Sequence, residues 1–388
     1  PPPPAEPPAV IPVRHLPPAV FGQRPRGGGC LAVLLIGSLI LNVLLALLLL
    51  GRDGGERRLR ERFFFGTEGA TDKVAVVRID GVLMEGMIDY ELKQIERAAK
   101  DDDVKAVVVR IDSPGGTISA SDELHKRLAW LRDGTSPLYQ GRPKPLVASM
   151  GSVAASGGYY VAMPASPVLA EPTTLTGSVG VYAAFPNVSE LGEKIGFRME
   201  LIKAGRIKAS GSPFHEMTPQ ERQPWQEMVD QAYDRFLEVV TAGRPGLADR
   251  DAWTEPLFEK QVPLRDARGE VVRSWFTGEP VQVPYSRYRA DGGVFTAADA
   301  EKYGLIDQLG DLPDAARLAA QAAGLTEYRV VVYDRPYSFF GELIGMRADS
   351  GGVGPEQLAA GAVPRLWYLT PQADLAGLFA TLSAGAKP

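Results

Sequence analysis

The residues best suited to chemistry in this chain are one serine among small neighbours and one lysine some fifty positions later. Ser156 lies in Ser149-Met-Gly-Ser-Val-Ala-Ala-Ser-Gly-Gly-Tyr-Tyr160, after the apolar run Lys144-Pro-Leu-Val-Ala148 and before Tyr160-Val-Ala-Met163. A buried strand that turns through small residues into a helix holds a hydroxyl at a sharp corner, with the first backbone N–H groups of the helix beside it. A small-residue helix packed closely on a sheet has the same composition, and on this stretch alone the two readings weigh equally. Three further stretches bear on the choice. Arg110-Ile-Asp-Ser-Pro-Gly-Gly116 closes an apolar run with Pro-Gly-Gly, a turn where bare backbone can approach a ligand and offer an N–H to a developing oxyanion. Thr174-Leu-Thr-Gly-Ser-Val-Gly180 is a polar turn between apolar runs. Lys203-Ala-Gly-Arg-Ile-Lys-Ala-Ser-Gly-Ser-Pro-Phe214 is rich in Gly and Ser and carries the cations Lys203, Arg206 and Lys208. Each of the three, taken singly, is more simply an ordinary turn or a solvated loop.

Few other groups compete as a base. The three histidines are His15, ahead of a long apolar span, His125, in mid-helix and read as a surface or groove residue, and His215, seven residues after Lys208. A Ser/His pairing through His215 is compatible with spacing. Lys203 and Arg206 read as solvated, and a guanidinium cannot act as a base. Cys30 is the single cysteine, so there is no internal disulfide framework, and no Cys or His cluster has metal-ligand spacing. A net charge of −5 gives no sign of a nucleic-acid partner. With 388 residues and 45% hydrophobic content, the chain can bury one large or two ordinary cores.

The elements that must position these residues follow from the apolar pattern. Residues 1–29 are dominated by Pro and Gly and are expected to be a disordered or polyproline tail; the chain does not open on Met, as expected of a trimmed or partial start. Cys30–Leu50 carries no charge, and as a helix it would span about 31 Å, the thickness of a bilayer core. No small-x-small site precedes Gly51, so a retained transmembrane anchor is preferred to a cleaved signal peptide. Arg14, Arg24 and Arg26 precede the span and Arg52, Arg57, Arg58, Arg60 and Arg62 follow it, which taken literally places the C-terminal part in the cytoplasm. After a charged linker, 51–72, strands are expected at 74–79, 104–111, 145–149, 168–170, 179–182, 198–202 and 328–333. Helices are expected at 90–100, 121–132, 188–195, 218–241 and 314–324, the fourth opened by the capping box Thr218-Pro-Gln-Glu221. Strands separated by helices imply an α/β domain, 73–335, with a mainly parallel sheet covered on both faces. Residues 247–290, with Trp253, Trp275, Phe276 and Tyr285 and a possible strand at 270–275, read as an inserted lobe over a substrate groove or a subunit contact. No structure is assigned to the C-terminal extension, 336–388.

Taken together and in order, the four chemical stretches resemble the signal peptide peptidase A family of membrane-bound Ser/Lys peptidases, which share the crotonase-like fold of the caseinolytic proteases. The resemblance rests on Ser-Pro-Gly-Gly at 113–116, Ser-Met-Gly-x-x-Ala-Ala-Ser-Gly-Gly-Tyr at 149–159, Thr-Gly-Ser-x-Gly at 176–180, a Lys before Gly-Ser-Pro-Phe at 208–214, and Phe-Thr-x-x-x-Ala-x-x-x-Gly-Leu-Ile-Asp at 295–307. It implies Ser156 as nucleophile, Lys208 as general base, Ser178 as the hydroxyl that orients the lysine, and the amides of Gly116 and Gly157 as the oxyanion hole. It implies no cofactor, hydrophobic peptide substrates such as signal-peptide remnants, and a ring-like homo-oligomer in the cytoplasmic membrane. The catalytic domain would then lie on the outer, periplasmic side, against the arginine count. Two departures stand out: Gly293 replaces an arginine of the family pattern, and the 247–290 lobe has no counterpart in the common short form. His215 stands where the family more often carries Arg.

The chemistry explains the residue types. A lysine of ordinary pKa near 10.4 is neutral in only about one molecule in a thousand at pH 7.4, so it must be desolvated to act as a base, and a drop of about three units costs roughly 4 kcal/mol. The neutral amine takes the proton of the attacking hydroxyl, and the ammonium then protonates the leaving amine. Three rival readings share parts of the pattern. A stomatin-partnered Ser/Lys membrane protease differs only in substrate, and a peptide-binding scaffold would lack activity. A crotonase-like enzyme on a coenzyme A thioester would need the oxyanion amides without Ser156 or Lys208.

Overall fold

The computed structural model describes residues 35–39, 41–42, 59–334 and 366–369. The expected tail lies outside them, as do most of the expected membrane span, the linker up to residue 58 and nearly all of the C-terminal extension. The chain divides into two units, residues 1–58 and 59–388. In the first, residues 35–39 and 41–42 are helical, Leu35, Ile36, Leu39 and Leu41 are exposed, and the Asn42 side chain donates to the Ser38 carbonyl at 2.7 Å. No helix among the described residues is long and apolar enough to cross a membrane.

The second unit is built on a sheet whose central strands read as continuous apolar runs. Strands β1 (Arg60–Gly66), β2 (Lys73–Leu83), β3 (Val104–Thr117), β4 (Leu146–Ala155) and β5 (Val168–Ala170) alternate with helices α1 (Asp89–Lys100), α2 (Ile118–Asp133) and α3 (Gly157–Ala162). Strands β6 (Leu175–Gly177), β7 (Tyr182–Ala183), β10 (Val294–Thr296), β11 (Gln308–Leu309), β12 (Arg329–Asp334) and β13 (Leu366–Leu369) complete it. The order is β1-β12-β2-β3-β4-β5-β11, with β6 beside β4 and β10, and β13 beside β3 and β7. From β12 to β11 every neighbouring pair is parallel. The mixed α/β unit with a largely parallel sheet fits the crotonase-like expectation.

Both faces are covered, which is why the strands show no polar alternation. On one face Ala75, Val77, Val107, Val109 and Ile111 pack with Ile95 of α1, Leu124 and Leu128 of α2, and Phe236 and Val240 of α5 (Pro219–Gly243). On the other, Val74, Val76, Ala106 and Val108 pack with Ala315, Ala316, Ala319 and Ala320 of α8 (Leu312–Ala322). Burying each such valine or leucine is worth about 1.5–3 kcal/mol. Helix α5 opens with the expected capping box, in which the Thr218 side chain meets the Glu221 N–H and the Glu221 carboxylate meets the Thr218 N–H.

Several local expectations are corrected. Residues 198–202 form no strand; they are exposed and pair with no strand among the described residues, so their apolar alternation has no sheet to join there. Between 174 and 183 the strands are β6 and β7, separated by residues 178–181, rather than one strand over 179–182. The expected Pro-Gly-Gly turn is absent: β3 runs on through Gly116 to Thr117, held by β2 on one side and β13 on the other. Residues 270–275 make only isolated bridges, whereas β8 (Pro256–Pro263) and β9 (Gln282–Tyr288) form a separate antiparallel ribbon. Trp253 is not a lobe residue in packing terms; it is fully buried in the main core and donates to the Leu247 carbonyl at 3.1 Å. Trp275 and Phe276 of the lobe are exposed. The remaining helices are α4 (Ser189–Lys194), α6 (Asp251–Thr254) and α7 (Ala297–Lys302).

Candidate active site

Strand β4 ends at Ala155 and α3 begins at Gly157, so the whole change of direction falls on Ser156. The strand therefore continues through the small residues that were expected to form the turn, because β3 and β6 pair with it as far as Ala154 and Ala155. Ser156 lies at φ 55° and ψ −116° and, with Ser178, is one of the two non-glycine residues of positive φ among those described. Holding a serine in such a region costs on the order of 1–3 kcal/mol. Hydrogen bonds on both sides impose it: the Ser156 N–H donates to the Gly177 carbonyl at 2.7 Å and its carbonyl accepts from the Tyr160 N–H at 2.9 Å. The hydroxyl is buried and has no hydrogen-bond partner among the described residues. A buried polar group left unpaired costs about 1–3 kcal/mol more.

The residues after Ser156 lock α3 against the sheet. Gly158 passes so close to β3 that a Cβ on it would stand 2.5 Å from the Ser113 carbonyl oxygen. Tyr159 and Tyr160 are fully buried, and their hydroxyls donate to the Leu305 carbonyl and to Asp122 Oδ1, each at 2.7 Å. Burial pushes the Tyr159 hydroxyl well above the ordinary phenol range, so it stays a donor.

Ser178 is bound into the same unit. It follows Gly177, which accepts from Ser156, and its own φ is 54°. Its N–H donates to the Gly293 carbonyl at 2.9 Å and its hydroxyl to the Gly292 carbonyl at 3.0 Å. A cavity of about 310 Å³ opens beside it, walled by Tyr182, Tyr233, Ala290, Asp291 and Gly292. Gly116 sits opposite Leu83 on β2, where a Cβ would fall 1.8 Å from the Leu83 carbonyl oxygen, so no other residue type fits. On its other side β13 runs antiparallel, with Tyr368 opposite Gly116 and Trp367 opposite both Thr117 and Tyr182. The apolar segment Leu366–Leu369 thus lies as an extended strand in a slot between β3 and β7.

The structure does not bring Lys208 to Ser156. Lys208 is exposed on a turn, its N–H bonded to the Gly205 carbonyl at 3.2 Å, and its ammonium meets no partner among the described residues. Lys203, expected to be solvated, instead places Nζ 3.0 Å from Glu221 Oε1. His215 Nε2 lies 2.9 Å from the other oxygen of Glu221, which commits that ring to the start of α5. His215, the Thr218 N–H and Lys203 together hold the Glu221 carboxyl down to about 2. His125 lines a separate cavity of about 200 Å³ with Arg132, Met163, Arg235 and Val239, and its ring meets Tyr160 edge-on at 5.1 Å. Burial pushes this imidazole down to about 4, so it is neutral at physiological pH.

Comparison with known proteins identifies the family. Residues 140–256, which contain Ser156, Ser178 and Lys208, match the model of peptidase family S49. Over 258 residues the chain is 31% identical to a candidate protease of Synechocystis sp., an alignment that covers 66% of this chain and 77% of that protein. The chain belongs to the signal peptide peptidase A family, peptidase family S49. It is also 31% identical over 271 residues to protease 4 of Salmonella typhi, covering 68% of this chain and 37% of that protein. The chloroplastic serine protease SPPA of Arabidopsis thaliana is 30% identical over 277 residues, 68% of this chain and 34% of that one. The signal peptide peptidase A match therefore spans about a third of the length of these last two relatives.

The sequence singles out Gly293 but not the rest of the loop 288–294, which supplies both hydrogen-bond acceptors of Ser178. The signal available was Asp291-Gly-Gly, a turn sequence that ends on the anomalous Gly293.

Proposed function

We propose that this S49 peptidase is a membrane-anchored serine endopeptidase that hydrolyses extended, hydrophobic peptides such as signal-peptide remnants with a Ser156/Lys208 dyad. The observation that carries the reading is the Ser156 hydroxyl, buried, unpaired and held on a strained corner. Strain of this kind persists only where the surrounding structure over-determines it, as reactive sites do. Ser156 attacks the scissile carbonyl, and neutral Lys208 takes its proton. The amides of Gly116 and Gly157 receive the oxyanion, and the lysine ammonium protonates the leaving amine. The slot between β3 and β7 supports an extended substrate, since it already accepts an apolar strand main chain to main chain.

For the dyad to form, Lys208 must leave water and approach Ser156. Leu191, Ile195, Phe197, Leu201, Ile202 and Ile207, exposed in the stretch that leads to Lys208, favour a homo-oligomer, ring-like by the family resemblance, in which a second copy covers this surface. Cys30–Leu50 is the proposed membrane anchor, in the cytoplasmic membrane with the peptidase unit on the outer side. Wild type, Ser156→Ala and Lys208→Ala forms should be assayed on a fluorogenic hydrophobic peptide. Full activity in either variant sinks the dyad, and an inactive wild type favours a peptide-binding scaffold. A reporter active in the cytoplasm when fused to the C-terminus would overturn the orientation.

A further inference from the structure

The inserted lobe returns to the core through the loop 288–294, which is held by an ion pair together with bonds to the core: the Gly292 N–H donates to the Val179 carbonyl at 3.1 Å, the Ala290 N–H to the Trp253 carbonyl at 3.1 Å, and the Tyr233 hydroxyl to the Ala290 carbonyl at 2.7 Å. Arg287, near the end of β9, places Nε 2.5 Å from Asp291 Oδ2, and its Nη2 reaches Asp291 Oδ1 at 3.3 Å and the Val294 carbonyl at 3.2 Å. The same carboxylate accepts the N–H groups of Tyr288 at 3.1 Å and Gly293 at 2.8 Å. The guanidinium lies 4.4 Å from the centre of the Phe295 ring, and the two side chains are only 21% and 19% exposed. Burial pushes the Asp291 carboxyl up, but Arg287 and the two N–H groups outweigh it and hold the group below the usual carboxylate range. Gly293, where the family pattern has an arginine, leaves room for this: a Cβ there would stand 2.6 Å from Arg287 Nη2 and 2.9 Å from Asp291 Oδ1.

The loop presents the Gly292 and Gly293 carbonyls to Ser178, and this fixes the direction of the Ser178 hydrogen bond. A carbonyl can only accept, so the Ser178 hydroxyl donates to Gly292 and keeps its lone pairs for another donor. We infer that the Arg287–Asp291 pair is a positioning device for the general base: by holding the Gly292 carbonyl on Ser178, it makes Ser178 an acceptor only towards Lys208. The inference rests on the Ser/Lys reading above. A neutral amine has two N–H donors and one lone pair. A Ser178 hydroxyl free to donate would occupy the lone pair that must receive the Ser156 proton. One committed to Gly292 accepts an amine N–H and leaves the lone pair to Ser156. The lobe and the loop that follows it therefore contribute to the reaction through Arg287 and Asp291.

The test compares full-length wild type with Asp291→Asn, Arg287→Gln, Arg287→Lys and Ser156→Ala, measuring hydrolysis of a fluorogenic apolar peptide across pH together with the melting midpoint. Asp291→Asn and Arg287→Gln should lose about ten- to hundredfold in kcat, the scale expected for a misplaced reacting group. The acidic limb of their pH profile should move to lower pH, because a freed Ser178 hydroxyl donating to the amine favours its neutral form. Arg287→Lys should recover part of both effects. Asp291→Asn keeps the carboxylate's shape and one acceptor oxygen, so it carries the test should Arg287→Gln fail to fold. A folded Asp291→Asn whose acidic limb is unmoved, whatever its rate, overturns the inference. Activity that survives Ser156→Ala overturns the Ser/Lys reading itself, a separate outcome.

Discussion

The N–H of Ser156 donates to the carbonyl of Gly177 at 2.7 Å, and the residue after Gly177 is Ser178. The two positive-φ serines of the described chain are thus one hydrogen bond and one peptide link apart, each directly after the end of a strand, β4 and β6, that the parallel pairing of Ala155 with Gly177 aligns. The corner that holds the proposed nucleophile and the turn that would hold its base cannot move independently. Three predictions follow from this and from the neighbouring geometry.

Replacing Ser156 by glycine should abolish peptidase activity yet stabilise the fold. Glycine accepts φ 55° without strain and removes a buried unpaired hydroxyl. The two gains, each on the order of 1–3 kcal/mol, exceed the roughly 0.5–1 kcal/mol entropic cost of glycine. Urea denaturation of the two forms checks this, and a less stable Ser156→Gly protein would show that the corner is not strained.

Replacing Gly116 by alanine should destabilise severely, by about 3 kcal/mol or more. The added methyl meets the Leu83 backbone at 1.8 Å, and backbone inside a sheet cannot swing aside as a side chain can. Soluble yield and denaturation midpoint are the readouts. A Gly116→Ala protein as stable as wild type would mean that β2 and β3 part more easily than their long parallel register implies.

Acid should weaken the start of α5 over a defined range. The Glu221 carboxyl is held at about 2 in the folded chain, below its ordinary value, by His215, Thr218 and Lys203. A depressed folded pKa contributes stability that is fully present above the unfolded value of about 4.3 and is lost as pH falls towards 2. The gap in melting temperature between wild type and Glu221→Gln should therefore be constant above about pH 5 and close between pH 5 and 2. A gap independent of pH over that interval would remove the carboxylate from the account.

The legible and illegible parts of this chain divide on physical lines. Val104–Ile111 and Val168–Ala170 were readable as strands because sheets covered on both faces demand unbroken apolar runs. Thr218 and Glu221 were readable as a helix start because a capping box is complete within four residues. Residues 198–202 carry a similar apolar pattern and form nothing, since a strand needs a partner that periodicity cannot supply. Beyond Ala148 and beyond Ile111 the strands run on through Gly, Ser and Pro residues that locally favour turns, because neighbouring strands satisfy their backbone groups on both sides.

What the sequence by itself determined is the set of reactive residue types, their order, and the small residues at 113–116 and 156–158 that permit close backbone approach. Which serine is strained, which hydroxyl is left unpaired and which way Ser178 donates were decided only by the tertiary structure. Those properties belong to contacts between distant segments, Ser156 with Gly177 and Ser178 with Gly292, the latter 114 residues apart. A hydroxyl's role depends on the partner that takes its proton, and local sequence does not specify a partner on another strand.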